Sequence, residues 1–222
     1  MLLLPGRQVV KRSPHRRVGY ISCPWLQKEQ PQYESLLELY FARIALLCPN
    51  LISISSQPFN FDVGDGAFYT PDFGLSFPGK KKVIVEVKPR DFVAKHAGKL
   101  SAARVRLEEH GFEFLLATED QIYADDRHQR ASMYLRYARA HYSASEVAAA
   151  RAVLIAQAYP QSLNSLSDVL EGNKSVLMHL IGRREFLLSS DLRSEELFYI
   201  NEKKESSDGY ISVSAWLGHT DW

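Results

Sequence analysis

Three residues near the middle of the chain, Asp72, Glu86 and Lys88, have types and spacing that suit hydrolytic chemistry. Glu86 and Lys88 stand two apart in Val83-Ile84-Val85-Glu86-Val87-Lys88. In a strand they share a face, with Val83, Val85 and Val87 packing behind. Asp72 lies fourteen residues before Glu86, in Thr70-Pro71-Asp72-Phe73, where the proline fixes the entering backbone and aims the carboxylate. Antiparallel pairing across Pro78-Gly79 brings Asp72 near Glu86. Two carboxylates and one ammonium at a shared strand end form a hard-oxygen site for Mg²⁺, with Mn²⁺ as a substitute. Such a set suits phosphodiester cleavage, because the attacking water must lose a proton and negative charge gathers on the phosphate oxygens. Lys88 would orient that water or meet the developing charge. Taken singly, a Glu–Lys pair on a half-exposed strand and a Pro-Asp turn are ordinary features. Their joint occurrence, after a helix bearing acids and before a Lys- and Arg-rich helix, favours the site.

The elements that must position these residues are legible from periodicity. Tyr33, Leu36, Leu37, Tyr40, Phe41, Ile44 and Leu47 recur at three-and-four spacing, predicting an amphipathic helix ended by Cys48-Pro49-Asn50. Strands are expected near 51–54, 59–63 and 68–77, with a turn at Gly64-Asp65-Gly66, followed by the β-branched run at 83–88. A helix is expected from Phe92 to His110, its inner face drawn from Val93, Leu100, Ala103, Val105 and Leu107, and then a strand at 112–118. Strand, helix, strand implies a crossover inside a mixed sheet. Past Tyr123 the pattern turns helical, at about 126–141, 145–158, 165–170 and 174–181, and closes with a hairpin around Phe186–Leu188 and Leu197–Ile200. Helices followed by a small hairpin match a winged-helix arrangement. The reading is therefore α/β, with a first domain over 1–124 and a helical, winged-helix-like domain over 125–222.

Composition sets limits on the alternatives. With 222 residues, 45% hydrophobic and 24% charged, the chain has the balance of a globular protein. Leu2-Leu3-Leu4 is halted at once by Pro5-Gly6, so neither a signal-peptide core nor a membrane span is expected, and an intracellular protein is. Cys23 and Cys48 form no CxxC pair, which argues against a disulfide scaffold or structural zinc. The net charge of +1 means that any DNA surface must be local. Candidate phosphate contacts are Lys11, Arg12, Arg16 and Arg17 in the basic arm, and Arg90, Lys95 and Lys99 after the armed strand. His96 and His110 have no expected place in the site, and His110 sits where a helix-end cap is expected.

The order helix Glu, Pro-Asp, Glu-x-Lys resembles the PD-(D/E)xK, restriction-endonuclease-like nucleases, whose core is a mixed sheet flanked by helices. The wider run of Pro24-Trp25-Leu26, Ser35-Leu36-Leu37-Glu38-Leu39, Gln57-Pro58, Thr70-Pro71-Asp72-Phe73, Glu86-Val87-Lys88-Pro89 and Thr118-Glu119 resembles the TnsA nuclease family of Tn-seven-type, in some cases CRISPR-associated, transposons. This resemblance implies Glu38, Asp72, Glu86 and Lys88 as catalytic residues, with Asp72, Glu86 and Glu38 on the metal. Glu34, one turn before Glu38, is the fallback. It further implies 5′-strand cutting of double-stranded DNA at transposon ends, beside a TnsB-like transposase and a TnsC-like ATPase, in the bacterial cytoplasm at the nucleoid. A stand-alone restriction-like or repair nuclease and a non-catalytic adaptor on the same scaffold are the rival expectations.

Overall fold

A computed structural model describes residues 4–5, 17–64, 66–200 and 216. Three short strands, β1 (Leu4–Pro5), β2 (Gly19–Tyr20) and β3 (Gln32–Tyr33), precede helix α1 (Leu36–Ala45). The helix starts later than the periodicity predicts, because Tyr33 pairs with Gly19 in the β2–β3 ladder. A Cβ at position 19 would come within 2.6 Å of the Tyr33 hydroxyl, so a larger residue there would require the Tyr33 ring to shift. Ser35 then caps the helix, its hydroxyl accepting the Glu38 N–H at 3.1 Å.

Strands β4 (Ser53–Ser56), β5 (Phe59–Gly64), β6 (Ala67–Tyr69) and β7 (Phe73–Ser76) follow. The single strand expected over 68–77 is thus two strands in two sheets: β6 pairs with β5, whereas β7 pairs with β4. Pro71 lacks the N–H that a continuing ladder needs, and the chain steps from one sheet to the other at Thr70-Pro71-Asp72. Strand β8 (Lys82–Val87), helix α2 (Arg90–Glu108) and strand β9 (Glu113–Ala117) complete a four-stranded mixed sheet in the order β4-β7-β8-β9. Its last pair is parallel and is joined through α2, while the other pairs are antiparallel.

Both faces of this sheet are covered. Val83, Val85 and Val87 belong to one core with Phe41 and Ile44 of α1, whereas Ile84 lies in a second core with Leu100, Ala103 and Leu107 of α2 and Phe61 and Tyr69 of the small sheet. The face carrying Glu86 is therefore not open, and Glu86 itself is only 6% exposed. Val105, expected inside, is exposed because it projects from the side of α2 opposite the Leu100–Ala103–Leu107 stripe.

Helices α3 (Glu119–Tyr123), α4 (Arg127–Arg139), α5 (Ala144–Ile155), α6 (Leu163–Val169) and α7 (Lys174–Gly182) come next, then the hairpin β10 (Phe186–Leu187) and β11 (Phe198–Tyr199). An extra bridge joins Gln161 to Leu197. α4 packs against both α1 and α7, and the core of α1 continues through Tyr134, Leu135, Leu177 and Ile181 to Trp216. Arg184 ties the same halves together, donating to the Cys48 and Leu51 carbonyls beyond the end of α1. At the α4–α7 crossing a Cβ on Gly182 would lie 2.3 Å from the Tyr134 carbonyl oxygen. Gly182→Ala is expected to destabilise the fold by about 1–3 kcal/mol through overpacking and to lower Tm by several degrees in a thermal melt. An unchanged Tm would show that this crossing has slack.

Candidate active site

Asp72 is fixed from two sides at the point where β6 hands over to β7. Its carbonyl accepts the Gln57 N–H at 2.8 Å, and its Oδ2 accepts the Val87 N–H at 2.7 Å. Gln57 adopts a left-handed φ of 41° to make its bond. That conformation costs a non-glycine residue energy, and here it seats the backbone of Asp72. The second bond extends the β7–β8 register, in which Phe73 faces Val85, past the end of the regular ladder. Asp72 and Glu86 are thereby brought to one sheet end.

Glu86 has both oxygens engaged. Oε2 accepts the Tyr69 hydroxyl at 2.6 Å, and Oε1 pairs with Lys88 Nζ at 2.8 Å. Burial and the Glu86 carboxylate push the Tyr69 phenol far above its ordinary range, so Tyr69 is the donor. Burial, then Glu86 and Glu38, push the Asp72 carboxyl well above the usual carboxylate range, against the opposing pull of the Val87 N–H and Lys88. Glu38 is also raised, chiefly by burial. Three carboxylates sense one another around a single ammonium, and the cluster is short of positive charge.

Glu38 is close enough to be felt but is turned back on its own helix. Its Oε1 accepts the Ser35 hydroxyl at 2.9 Å and its Oε2 accepts the Glu34 N–H at 2.7 Å, a reciprocal cap of the α1 N-terminus. Glu34 serves here through its backbone. Among the described residues, no three acidic, histidine or cysteine side chains gather as a ready cage for an ion. The pair that remains, Asp72 and Glu86, still fits Mg²⁺, which binds through one or two carboxylates and keeps several of its waters. The buried Glu86 and the half-buried Asp72, whose charge Glu86 makes costlier, are the feature that a divalent ion would relieve.

The candidate phosphate contacts are dispersed. Arg17, Lys95 and Lys99 are exposed. Lys99 reaches back to the site, with its Nζ 5.8 Å from the centre of the Tyr69 ring. Arg90 is paired with Asp120, and its N–H donates to Glu119 at 2.8 Å. Arg104 and Arg106 are paired with Glu108 and Glu109. Lys11, Arg12 and Arg16 lie outside the described residues. His110 Nδ1 lies 2.8 Å from the Arg106 carbonyl at the end of α2. Tyr69 was not singled out from the sequence, where it reads as one more aromatic in a strand. The signal available was its place three residues before Asp72, across the proline.

Because folding raises the Asp72 carboxyl, its contribution to stability is greatest below the unfolded pKa and is lost as pH rises through the folded one. Asp72→Asn keeps an oxygen for the Val87 N–H and removes the charge. In EDTA at pH 7.5 it is expected to raise Tm by about 2–4 °C, the shift of roughly 1 kcal/mol in a chain of this size. The difference should narrow as pH falls toward about 4. A lower Tm for the variant at pH 7.5 would contradict the charge crowding.

No curated protein matches the chain at a significant level. Residues 48–119, which run from the end of the α1 segment through β9, match the family model described as TnsA-like endonuclease N terminal. This span contains Asp72, Glu86 and Lys88 and stops short of the C-terminal helices. Over these residues the chain is similar to a TnsA-like endonuclease domain, which supports a TnsA-type endonuclease of the restriction-endonuclease-like superfamily.

Proposed function

We propose that the chain is a metal-dependent DNA endonuclease that cleaves the 5′ strands at transposon ends during cut-and-paste transposition, beside a TnsB-like transposase and a TnsC-like ATPase. A nuclease of Tn-seven-type transposition is what the family match supports. The observation that carries the chemistry is the meeting of Asp72, Glu86 and Lys88 where β7 begins and β8 ends. Asp72 and Glu86 would hold Mg²⁺, or Mn²⁺ in its place; a bound divalent ion lowers the pKa of its water and offsets charge on the phosphate. Lys88, kept beside Glu86, orients the attacking water or meets the charge that develops on the phosphate oxygens. Glu38 adds negative potential to the site while capping α1, and its metal contact remains part of this proposal.

Exposed Lys95 and Lys99 on α2, with Arg17 and Arg90, are proposed to track the DNA backbone. Residues 125–222 are proposed as the second domain. Within them α5, α6, α7 and the β10–β11 hairpin, with the Gln161–Leu197 bridge as a third short strand, follow the order of a winged helix. In this unit α7 is buried from Val176 to Gly182 against its neighbours. A helix so covered cannot lie in a major groove, and the domain is better suited to contact protein partners. The net charge of +1 also favours a cutter whose sequence specificity comes from a DNA-binding partner. No helix among the described residues is long and apolar enough to cross a membrane, and a cytoplasmic, nucleoid-associated location is proposed.

Purified protein with Mg²⁺ and supercoiled plasmid is expected to show little sequence-specific cutting, with 5′-strand products at transposon ends appearing once the transposase and ATPase are added. Lys88→Ala should slow that cleavage by about 10²- to 10³-fold, the loss of one preorganised charge stabiliser, and Asp72→Ala should abolish it. Efficient unaided site-specific cutting would replace this reading with a stand-alone nuclease. Unchanged 5′ products from Asp72→Ala would leave only an adaptor.

A further inference from the structure

Tyr69 belongs to the small sheet, whereas Glu86 is carried by the central one. The hydroxyl of Tyr69 nevertheless donates to Glu86 Oε2 at 2.6 Å, in a part of the protein where both residues are buried, at 5% and 6% exposure. The ring behind that hydroxyl is held on several sides. Phe61 meets it edge-on with centroids 5.6 Å apart, Phe114 does so at 6.5 Å, and Lys99 Nζ lies 5.8 Å from its centre. A ring held this way keeps its hydroxyl in one place, and the Glu86 carboxylate inherits that position. Lys88, on the other oxygen, has no comparable restraint, because its flexible stem is part-exposed.

We infer that Tyr69 is the positioning residue of the nuclease site, holding Glu86 Oε2 so that Oε1, the oxygen shared with Lys88, is the one Glu86 can offer to a divalent ion. The inference rests on the proposed nuclease reading. The two partners of Glu86 then differ in kind. Tyr69 is a neutral donor anchored in the second core, and it does not compete with a cation for the charge of the carboxylate. Lys88 is a half-buried cation on the other oxygen and does compete. Ligand carboxylates are commonly oriented by such outer hydrogen bonds, and loss of one typically costs 10- to 100-fold in metal affinity or activity.

The test compares the full-length protein with Tyr69→Phe, which keeps the ring among Phe61, Phe114 and Lys99 and so preserves the packing that folds this region. Mn²⁺ affinity is measured by the loss of the free-ion electron paramagnetic resonance signal, without DNA. Tyr69→Phe should weaken Mn²⁺ binding by about 10-fold or more, and cleavage should recover in part as Mn²⁺ is raised. In a Glu86→Ala background the same change should alter Mn²⁺ affinity by less than about twofold, since the group through which Tyr69 acts is gone. Unchanged Mn²⁺ affinity in Tyr69→Phe, or an equal loss in both backgrounds, would overturn the positioning role. The nuclease reading fails separately, if Asp72→Asn binds Mn²⁺ and cuts as the parent protein does.

Discussion

Two carboxylates at the end of a covered sheet repel each other, and the remaining features of the site manage that repulsion. Asp72 stands where burial, then Glu86 and Glu38, make its charged form costly, and the Glu86 beside it is itself buried. Such clusters are unstable arrangements unless something requires them. Here the local backbone is arranged to keep them together. The Gln57 N–H holds the Asp72 carbonyl, the Val87 N–H holds its carboxylate, the Tyr69 hydroxyl holds Glu86, and Lys88 supplies partial compensation. Acids held side by side by this many donors are the arrangement that the proposed cation would relieve.

The fold explains how the positions are reached. β8 is one of the two inner strands, paired on both edges and covered on both faces. Its C-terminal end passes from the buried Glu86 and Val87 to the half-buried Lys88. The break at Pro71 sends β6 into one sheet and β7 into another, so that two sheets and the N-terminus of α1 converge on one point. The C-terminal helices support this from behind. α4 rests on α1, Gly182 lets α7 approach α4, and Arg184 anchors the far half of the chain to the loop after α1.

Much of this was legible in the residues. The β-branched run at 83–87, the Pro-Asp turn and the basic helix after Pro89 gave the sheet, its mixed order and the juxtaposition of Asp72 with Glu86. What local patterning could not supply was tertiary. Tyr33 has helical spacing but is drawn into a strand pair with Gly19, and the 68–77 run looks like one strand because both halves are apolar. The burial of Glu86 was hidden because the small sheet that brings Tyr69 to it is a separate sheet, placed by tertiary packing. Glu38 shows a different limit: Ser35-x-x-Glu38 fits both the acid expected from the resemblance and a helix start, and in the fold its oxygens are taken by the Glu34 N–H and the Ser35 hydroxyl. Tyr69 reads in the sequence as one more strand aromatic beside Asp72, and its partner lies across a sheet boundary.

The central claim is that Asp72 and Glu86 share a divalent ion, and a crystal soaked in Mn²⁺ tests it with the fewest intervening assumptions. Anomalous diffraction should place a peak within coordination distance of both carboxylates, about 2.0–2.2 Å for a small hard ion, with Lys88 displaced from Glu86 Oε1. A fully occupied Mn²⁺ elsewhere on the protein, with the Lys88–Glu86 pair intact and no density between the two acids, would contradict it.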